Sequence, residues 1–370
     1  MSPDVDPVLA GPRGRRLCLE LARGTGLLPG PPEADRLRQA AFWAAYELDP
    51  GKGTSRSLLT VGTGPAPAPP PSAPADVARL VDAVPLELPG PGSPDPGAIL
   101  DALAAAVDSA RYWQEPEGED VLARTPEVRE SLRRVAAHVA AHPAARWWST
   151  PVDRAGQWTV TPEDRTFPGP ADGAAGVLAR WRGHTVEDEA RAARERPADP
   201  RAGWTGEWWS TPPRELTRTT RALDDAPVGL RLEEDAGGAD RASVQRVEVP
   251  PGATVLELGS PGAWVDLCRR HPLDVAASRR HDWYRTTGTD ARWVLPDWSA
   301  VAREVDAVHL TVAGYLTTAG RALPLGDGRA TVLGGWDPDC TYWLVDVPGP
   351  RPPAEMWERD GSGVWSRAGG

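Results

Sequence analysis

Apolar positions recur at helical spacing through the first part of the chain. Between Ala34 and Leu48, Leu37, Ala40, Ala41, Ala44 and Ala45 share one face with Phe42 and Trp43 beside it, which predicts an amphipathic helix. A shorter helix is expected from Asp76 to Val84. Ile99, Leu103, Val107 and Ala110 form a second long stripe ending at Tyr112-Trp113, and Val128, Leu132, Val135 and Val139 form a third. Thr125-Pro126 precedes the third stripe with an N-cap hydroxyl and a first-turn proline. Thr185 to Arg196 has few apolar positions and reads as a largely solvated helix.

The pattern then changes. Gln157-Trp158-Thr159-Val160 reads as a strand, and Val228 to Leu232 alternates weakly. Val244, Val247 and Val249, then Val255, Leu256 and Leu258, predict two strands separated by Pro250-Pro251-Gly252. Ser260-Pro261 and Asp297 are each expected to cap a helix. Trp264, Leu267 and Cys268 turn inward on the first, Trp298, Val301 and Val305 on the second. Val308 to Val312, Thr331 to Leu333 and Tyr342 to Val345 read as buried strands. Helices first and a mixed sheet later predict an α+β fold: a helical N-terminal region followed by a mixed α/β C-terminal domain.

Proline and glycine mark the boundaries. Gly62 to Pro74 is nearly all Gly, Pro and Ala, and Pro89 to Gly97 is similar. The expected segments are a helical stretch at 1–61, a Pro/Gly-rich linker with a short helix at 62–97 and a helical part with one strand at 98–200. A mixed α+β domain at 201–347 and a loose tail at 348–370 follow, with Trp357 and Trp365 as the tail's only anchors. A hydrophobic share of 40% supports a core, and 17 Trp against 2 Phe means that indoles fill it.

With 52 acidic against 41 basic residues the net charge is −11, which argues against a general nucleic-acid or anionic-membrane binder. Cys18, Cys268 and Cys340 stand in no disulfide or zinc spacing, so no metal site is expected. No apolar run approaches the roughly 18 residues that span a bilayer. The start, Met1-Ser2-Pro3-Asp4, lacks a signal-peptide layout. These features lead us to expect a cytoplasmic location.

The phrase Trp-Trp-Ser-Thr-Pro occurs twice, at 147–151 and 208–212. Proline pushes the preceding Thr toward extended backbone, so both copies are expected as short strands or strand exits. Trp208 and Trp209 are candidate walls for a planar ligand, with Ser210 and Thr211 positioning it. The competing reading makes the phrases core anchors whose hydroxyls satisfy backbone, the commoner fate of tryptophan. A second cluster, Arg279 to Gly288, gathers Arg280, His281, Tyr284 and Arg285. It either grips an anionic or phosphorylated ligand or is a loop knitted by its own hydrogen bonds. His309, with Thr311 on the same strand face, is a candidate acid/base against the alternative of a satisfied core histidine. Gly334 to Asp339 lacks the ligand run of a calcium loop and reads as a tight turn. GxGxxG, Walker, GxSxG and HExxH signatures are absent.

Three stretches resemble an uncharacterised family of high-GC bacterial proteins: Arg15 to Leu21, Val107 to Gln114, and Arg280 to Gly288. That resemblance implies no activity. Gly206 to Val347 resembles the ADP-ribosyltransferase fold. Ser210-Thr211 is similar to that family's Ser-Thr-x segment lining the nicotinamide pocket. Val249-Pro250-Pro251-Gly252-Ala253-Thr254-Val255-Leu256 is similar to its strand leading toward a catalytic Glu, although no Glu-x-Glu or Gln-x-Glu pair follows. The resemblance implies NAD as cofactor and transferase or NAD-glycohydrolase activity. Glu257 would stabilise a ribosyl cation, His309 would serve as acid/base, and Arg280 and Arg285 would hold phosphates. The alternative is a non-catalytic protein that binds a peptide or glycan through Trp-lined grooves.

Overall fold

The computed structural model describes residues 6–24, 31–57, 72–86, 96–164, 172–349, 353–361 and 363–369. The expected linkers at 62–74 and 89–97 fall largely outside them. The fold is α+β, with helices mostly N-terminal and sheets C-terminal. Contacts divide the chain into Met1–Ala106 with Gln114–Trp147, and Val107–Trp113 with Trp148–Gly370. The division thus falls inside the first Trp-Trp phrase, not near residue 200. Val107–Trp113 belongs to the second unit because its polar groups are used there. Thr286 Oγ1 donates to the Tyr112 carbonyl at 2.8 Å, and Arg111 Nε donates to Asp235 at 2.9 Å.

The first unit is built from α1 (Asp6–Ala10), α2 (Pro12–Arg23), α3 (Pro31–Leu48), α4 (Pro74–Asp82), the start of α5 (Pro96–Asp108), α6 (Gly118–Arg124) and α7 (Pro126–Ala141). The periodic residues lie inward as their spacing requires: Leu37, Ala41, Leu103, Leu132 and Val135 are buried. Phe42 instead faces solvent. Thr125 stands at the N-cap of α7, but its hydroxyl donates back to the Leu122 carbonyl at 2.8 Å. Arg13 and Asp120 form a buried ion pair, and Arg13 Nη1 also donates to the Ala106 carbonyl at 2.9 Å.

In the second unit the strands are β1 (Gln157–Pro162), β2 (Arg218–Thr219), β3 (Ala222–Leu223), β4 (Ala226–Pro227), β5 (Arg241–Val247), β6 (Val255–Leu258) and β7 (Pro272–Asp274). They continue with β8 (Arg292–Pro296), β9 (Ala307–Leu310), β10 (Leu323–Gly326), β11 (Arg329–Thr331), β12 (Cys340–Trp343), β13 (Glu355–Arg359) and β14 (Trp365–Arg367). Its helices are α8 (Gly173–Glu195), α9 (Pro261–Arg270), α10 (Arg280–Thr287), α11 (Trp298–Val301) and α12 (Val312–Thr318). Three four-stranded sheets run in the orders β1-β5-β13-β14, β10-β11-β8-β7 and β2-β12-β9-β6, beside a β3-β4 hairpin. Among the described residues no helix is long and apolar enough to cross a membrane.

The third sheet sets the geometry that follows. β6 pairs with β9 in parallel, and β12 pairs antiparallel with both β9 and β2. One face carries Leu258, Leu310 and Tyr342, which with α9 and α11 enclose an indole core. Trp264, Trp298 and Trp336 lie with ring centroids 5.7–6.4 Å apart, and Tyr342 stands edge-on to Trp336 at 5.1 Å. Ser260 and Asp297 cap α9 and α11 as expected, accepting from the Ala263 amide and from the Ser299 and Ala300 amides.

Further expectations change: Val228–Leu230 is a 3-10 turn, and Thr311 caps α12 instead of continuing the strand of His309. The stretch Arg279 to Gly288 is not a loop: α10 occupies it, ending at Gly288 with φ 69°. It escapes an apolar periodicity test because its inward positions include His281 and Asp282 as well as Trp283. The Trp-Trp phrases form no strands. The first ends a 3-10 turn, Pro143–Ser149, and the second lies in irregular chain. The Trp283 indole donates to the Trp208 carbonyl at 2.7 Å, so a side chain takes the acceptor that a neighbouring strand would need. The tail contributes β13 and β14, which extend the β1-β5 sheet. The anchors are the expected ones, since Trp357 joins the cluster of Leu230, Ala242 and Val244 with Trp365 packed against it.

Gly314 lets α12 reach β6, because a Cβ there would lie 1.9 Å from the Leu258 carbonyl oxygen. Gly314→Ala is expected to cost about 3 kcal/mol, of the order known for forced overpacking. Gly183→Ala on α8 meets nothing within 4 Å, and should stabilise by up to about 1 kcal/mol through helix propensity. Thermal melts of the two variants beside the wild type check both signs.

Candidate functional site

Strand register assembles one polar row across the third sheet. Glu257 on β6 pairs with His309 on β9, His309 with Thr341 on β12, and Thr341 with Thr219 on β2. Alternation puts all four side chains on one face, opposite the indole core. His309 Nδ1 and Thr341 Oγ1 share a hydrogen bond of 2.8 Å. Thr219 donates to Gln157 Oε1 and accepts from the Trp343 indole at 2.9 Å. The row is buried at His309, Thr341 and Thr219, and opens at Glu257 on the edge strand, whose side chain is 31% exposed.

Asp339, just before β12, reaches into the same cluster. Its carboxylate accepts from Arg221 Nε at 2.6 Å, from the Arg221 amide at 2.9 Å and from Thr220 Oγ1 at 3.1 Å. The Asp339 backbone is left-handed, φ 58°, a conformation Asp tolerates better than most residues. Arg221 Nη1 donates to Thr150 Oγ1 at 2.7 Å, and Nη2 donates to the Pro151 carbonyl at 2.9 Å. The next amide, Val152, donates to Glu257 Oε1 at 3.1 Å. The first Trp-Trp phrase thereby ends against both ion-paired and orphaned members of the cluster.

His309 Nε2 stands 3.7 Å from Asp339 Oδ1 and 3.9 Å from Glu257 Oε2. Neither Nε2 nor Oε2 has a hydrogen-bond partner in the protein. Burial, with Arg221 nearby, pulls the His309 pKa down to about 3. Burial pushes Glu257 up against the opposing pull of the Val152 amide and Arg221. Burial likewise raises Asp339, again against Arg221. The cluster therefore presents a neutral imidazole and two carboxyl groups that hold protons more tightly than usual.

The structure brings Glu257 and His309 together and uses the other expected residues elsewhere. Trp208 and Trp209 are partly buried and T-shaped at 5.9 Å, with Tyr112 edge-on to Trp208 and the Arg214 guanidinium over Trp209. The Ser210 amide donates to the Gly334 carbonyl at 2.9 Å, and its hydroxyl accepts from the Gly334 amide at 3.0 Å. Thr211 is buried beside it. Arg280 donates to the Pro197 carbonyl at 2.7 Å, Tyr284 lies under Arg201, and His281 is buried with its pKa lowered by burial. Arg285 pairs with buried Asp282, which also accepts from Thr205 Oγ1 at 2.8 Å and the Gly206 amide at 3.0 Å. Among the described residues no hydrogen bond, ion pair or ring contact links these residues to Glu257 or His309.

Arg221, Thr341 and Val152 carry no signal in the sequence, whereas Thr150 and Pro151 belong to the first Trp-Trp phrase. Asp339 ends the run Gly334 to Asp339, where the turn is confined to Pro338–Asp339 and the run links β11 and β12, which lie in different sheets. A small pocket at the β2 end of the row is lined by Thr219 and Thr220 themselves, with Trp158, Arg218, Glu233 and Asp337 among others. Three strand spacings, about 14 Å, separate that end from Glu257. Comparison of the chain with protein-family models, curated proteins and solved structures finds no match.

His309 carries a pH signature. Its folded pKa near 3 lies below the unfolded value of about 6.5. Its contribution is intact above pH 6.5. Between about pH 6.5 and 3 the unfolded chain binds the extra proton, so stability is lost as pH falls. Wild type should lose stability relative to His309→Gln by about 1.4 kcal/mol per pH unit in that window, measured by denaturant titration at several pH values. A constant difference from pH 7 to 4.5 would contradict the buried neutral ring.

Proposed function

We propose that the second unit is an enzyme of ribosyl-bond chemistry, a transferase or glycohydrolase acting on NAD or a related nucleotide, centred on Glu257 and His309. The observation that supports this reading is the pair of unsatisfied polar atoms, Glu257 Oε2 and His309 Nε2, facing each other on one sheet row. Buried polar groups are nearly always satisfied, and a catalytic role is one of the reasons an exception can have. A carboxylate at a partly desolvated, solvent-reachable edge suits stabilisation of a developing ribosyl cation. His309, neutral at pH 7, binds a proton too weakly to be the principal base. Its role in this reading is to orient, while Glu257 carries the charge. The NAD part draws on the resemblance of Ser210-Thr211 and Val249 to Leu256 to ADP-ribosyltransferase segments. Ser210, tied to Gly334, supports that part through positioning of the chain and not through chemistry.

The test is nicotinamide release from NAD by the purified protein. Release is expected from wild type, with Glu257→Gln slower by about 10²–10³-fold, the usual effect of removing an electrostatic stabiliser. Ser210→Ala should lower the melting temperature more than the rate. No release, together with no thermal shift on adding NAD, would remove this reading.

A further inference from the structure

A groove of about 670 Å³ runs along the second unit, with the first half of α8 on one side and α11 and the chain leaving β12 on the other. That volume is within the range of small-ligand sites. Its apolar lining comes from Ala175, Leu178 and Ala179 on the α8 side and from Ala302, Leu344 and Val345 opposite. The lining positions of α8 extend from Ala174 to Gly183, which at 1.5 Å per residue makes the groove about 14 Å long. A Cβ on Gly183 would meet nothing within 4 Å, so that end is open space. Hydrogen bonds across the groove fix its walls. The Ala174 amide donates to Asp346 Oδ1 at 2.8 Å, Ser299 Oγ donates to the Leu178 carbonyl at 2.8 Å, and Arg182 Nε donates to Asp297 Oδ2 at 2.7 Å. A ligand therefore meets a shape already formed, without the cost of ordering it.

One charge in the groove is left over. Arg303 is exposed on its wall, and among the described residues no hydrogen bond or ion pair reaches its guanidinium. The carboxylates next to it in the chain or in the groove are engaged elsewhere: Glu304 with Arg270, Asp306 with the Thr254 amide, Asp297 with Arg182, and Asp346 with the first turn of α8. In a chain of net charge −11, an uncompensated cation on an apolar groove is complementary to an anion. The guanidinium fork takes a carboxylate through two parallel hydrogen bonds. Ser299 and Arg182 spend hydrogen bonds on the walls, so the body of the ligand meets mainly Ala, Leu and Val surface. A molecule that satisfies both demands is amphipathic, and the length of the groove along one helix suits a linear one. We infer that this groove binds a medium-chain aliphatic carboxylate, its head on Arg303 and its chain along the alanine face of α8. None of the lining residues belongs to the row of Glu257 and His309, so the inference goes beyond the ribosyl-bond reading and does not depend on it.

The experiment is equilibrium dialysis of the full chain against radiolabelled decanoate below its micelle-forming concentration, beside Arg303→Gln and Ala179→Phe. Ala175→Phe, one turn earlier, repeats the block independently. All three positions are exposed, so the variants are expected to melt with wild type. We expect one decanoate per chain in wild type. Binding to Arg303→Gln should be about tenfold weaker, the scale of a hydrogen bond to a charged group. Neither phenylalanine variant should retain decanoate, because the ring fills the groove. Unlabelled hexanoate should need at least about tenfold more than unlabelled decanoate to displace the label, since each buried methylene is worth up to about fourfold. The cation decyltrimethylammonium should not displace it. No retention by wild type overturns the site. Retention unchanged in both phenylalanine variants places the molecule elsewhere and overturns it too. Wild-type affinity in Arg303→Gln, or displacement by decyltrimethylammonium as good as by decanoate, overturns the carboxylate assignment.

Discussion

The carboxylate of Asp339 is the point on which the second unit's polar architecture depends. It lies 2% exposed and ends in three hydrogen bonds from Thr220 and Arg221. Removing one partner of a buried ion pair leaves an uncompensated charge in low dielectric, a loss typically of about 3–5 kcal/mol. The consequences spread because Arg221 has two further donors. They hold Thr150 and Pro151, and the chain so fixed places the Val152 amide on Glu257. One carboxylate thus ties together chain segments more than a hundred residues apart, and through them orients the exposed end of the polar row.

That row also explains why a hydrophilic centre survives within a tryptophan-rich core. The two faces of the third sheet solve different problems. One buries Trp264, Trp298 and Trp336, whose large apolar areas dominate the packing. The other carries two hydrogen-bonded pairs, Thr219 with Gln157 and His309 with Thr341. Satisfaction stops at His309 Nε2 and Glu257 Oε2, next to the sheet edge. The two unsatisfied atoms of the row are thus adjacent, on neighbouring strands.

Much of the element pattern was legible from residue spacing. The stripes of α3, α5 and α7, the caps Ser260 and Asp297, and the strands β1, β5, β6 and β9 all follow from local rules, in which a side chain's neighbours are three or four residues away or alternate along a strand. The helix α10 was not legible, because burial of Asp282 is made tolerable by distant partners such as Thr205 and Gly206. The repeated Trp-Trp phrase drew attention to the right kind of residue and divided it wrongly in space. Its second copy bonds Gly334, whereas its first copy ends beside Glu257.

The amino-acid sequence by itself determined the α+β class, the principal helices and strands and the candidacy of His309, since these depend on periodicity and residue type, whereas Glu257 entered only through the resemblance to ADP-ribosyltransferases. Only the tertiary structure decided that those two side chains share a row. Parallel pairing of β6 with β9 brings positions 52 residues apart into register, and register is a relation between strands that neither strand encodes alone. The same holds for Arg221 and Asp339, ordinary charged residues in sequence, which acquire their role when burial removes water and leaves each as the other's main partner.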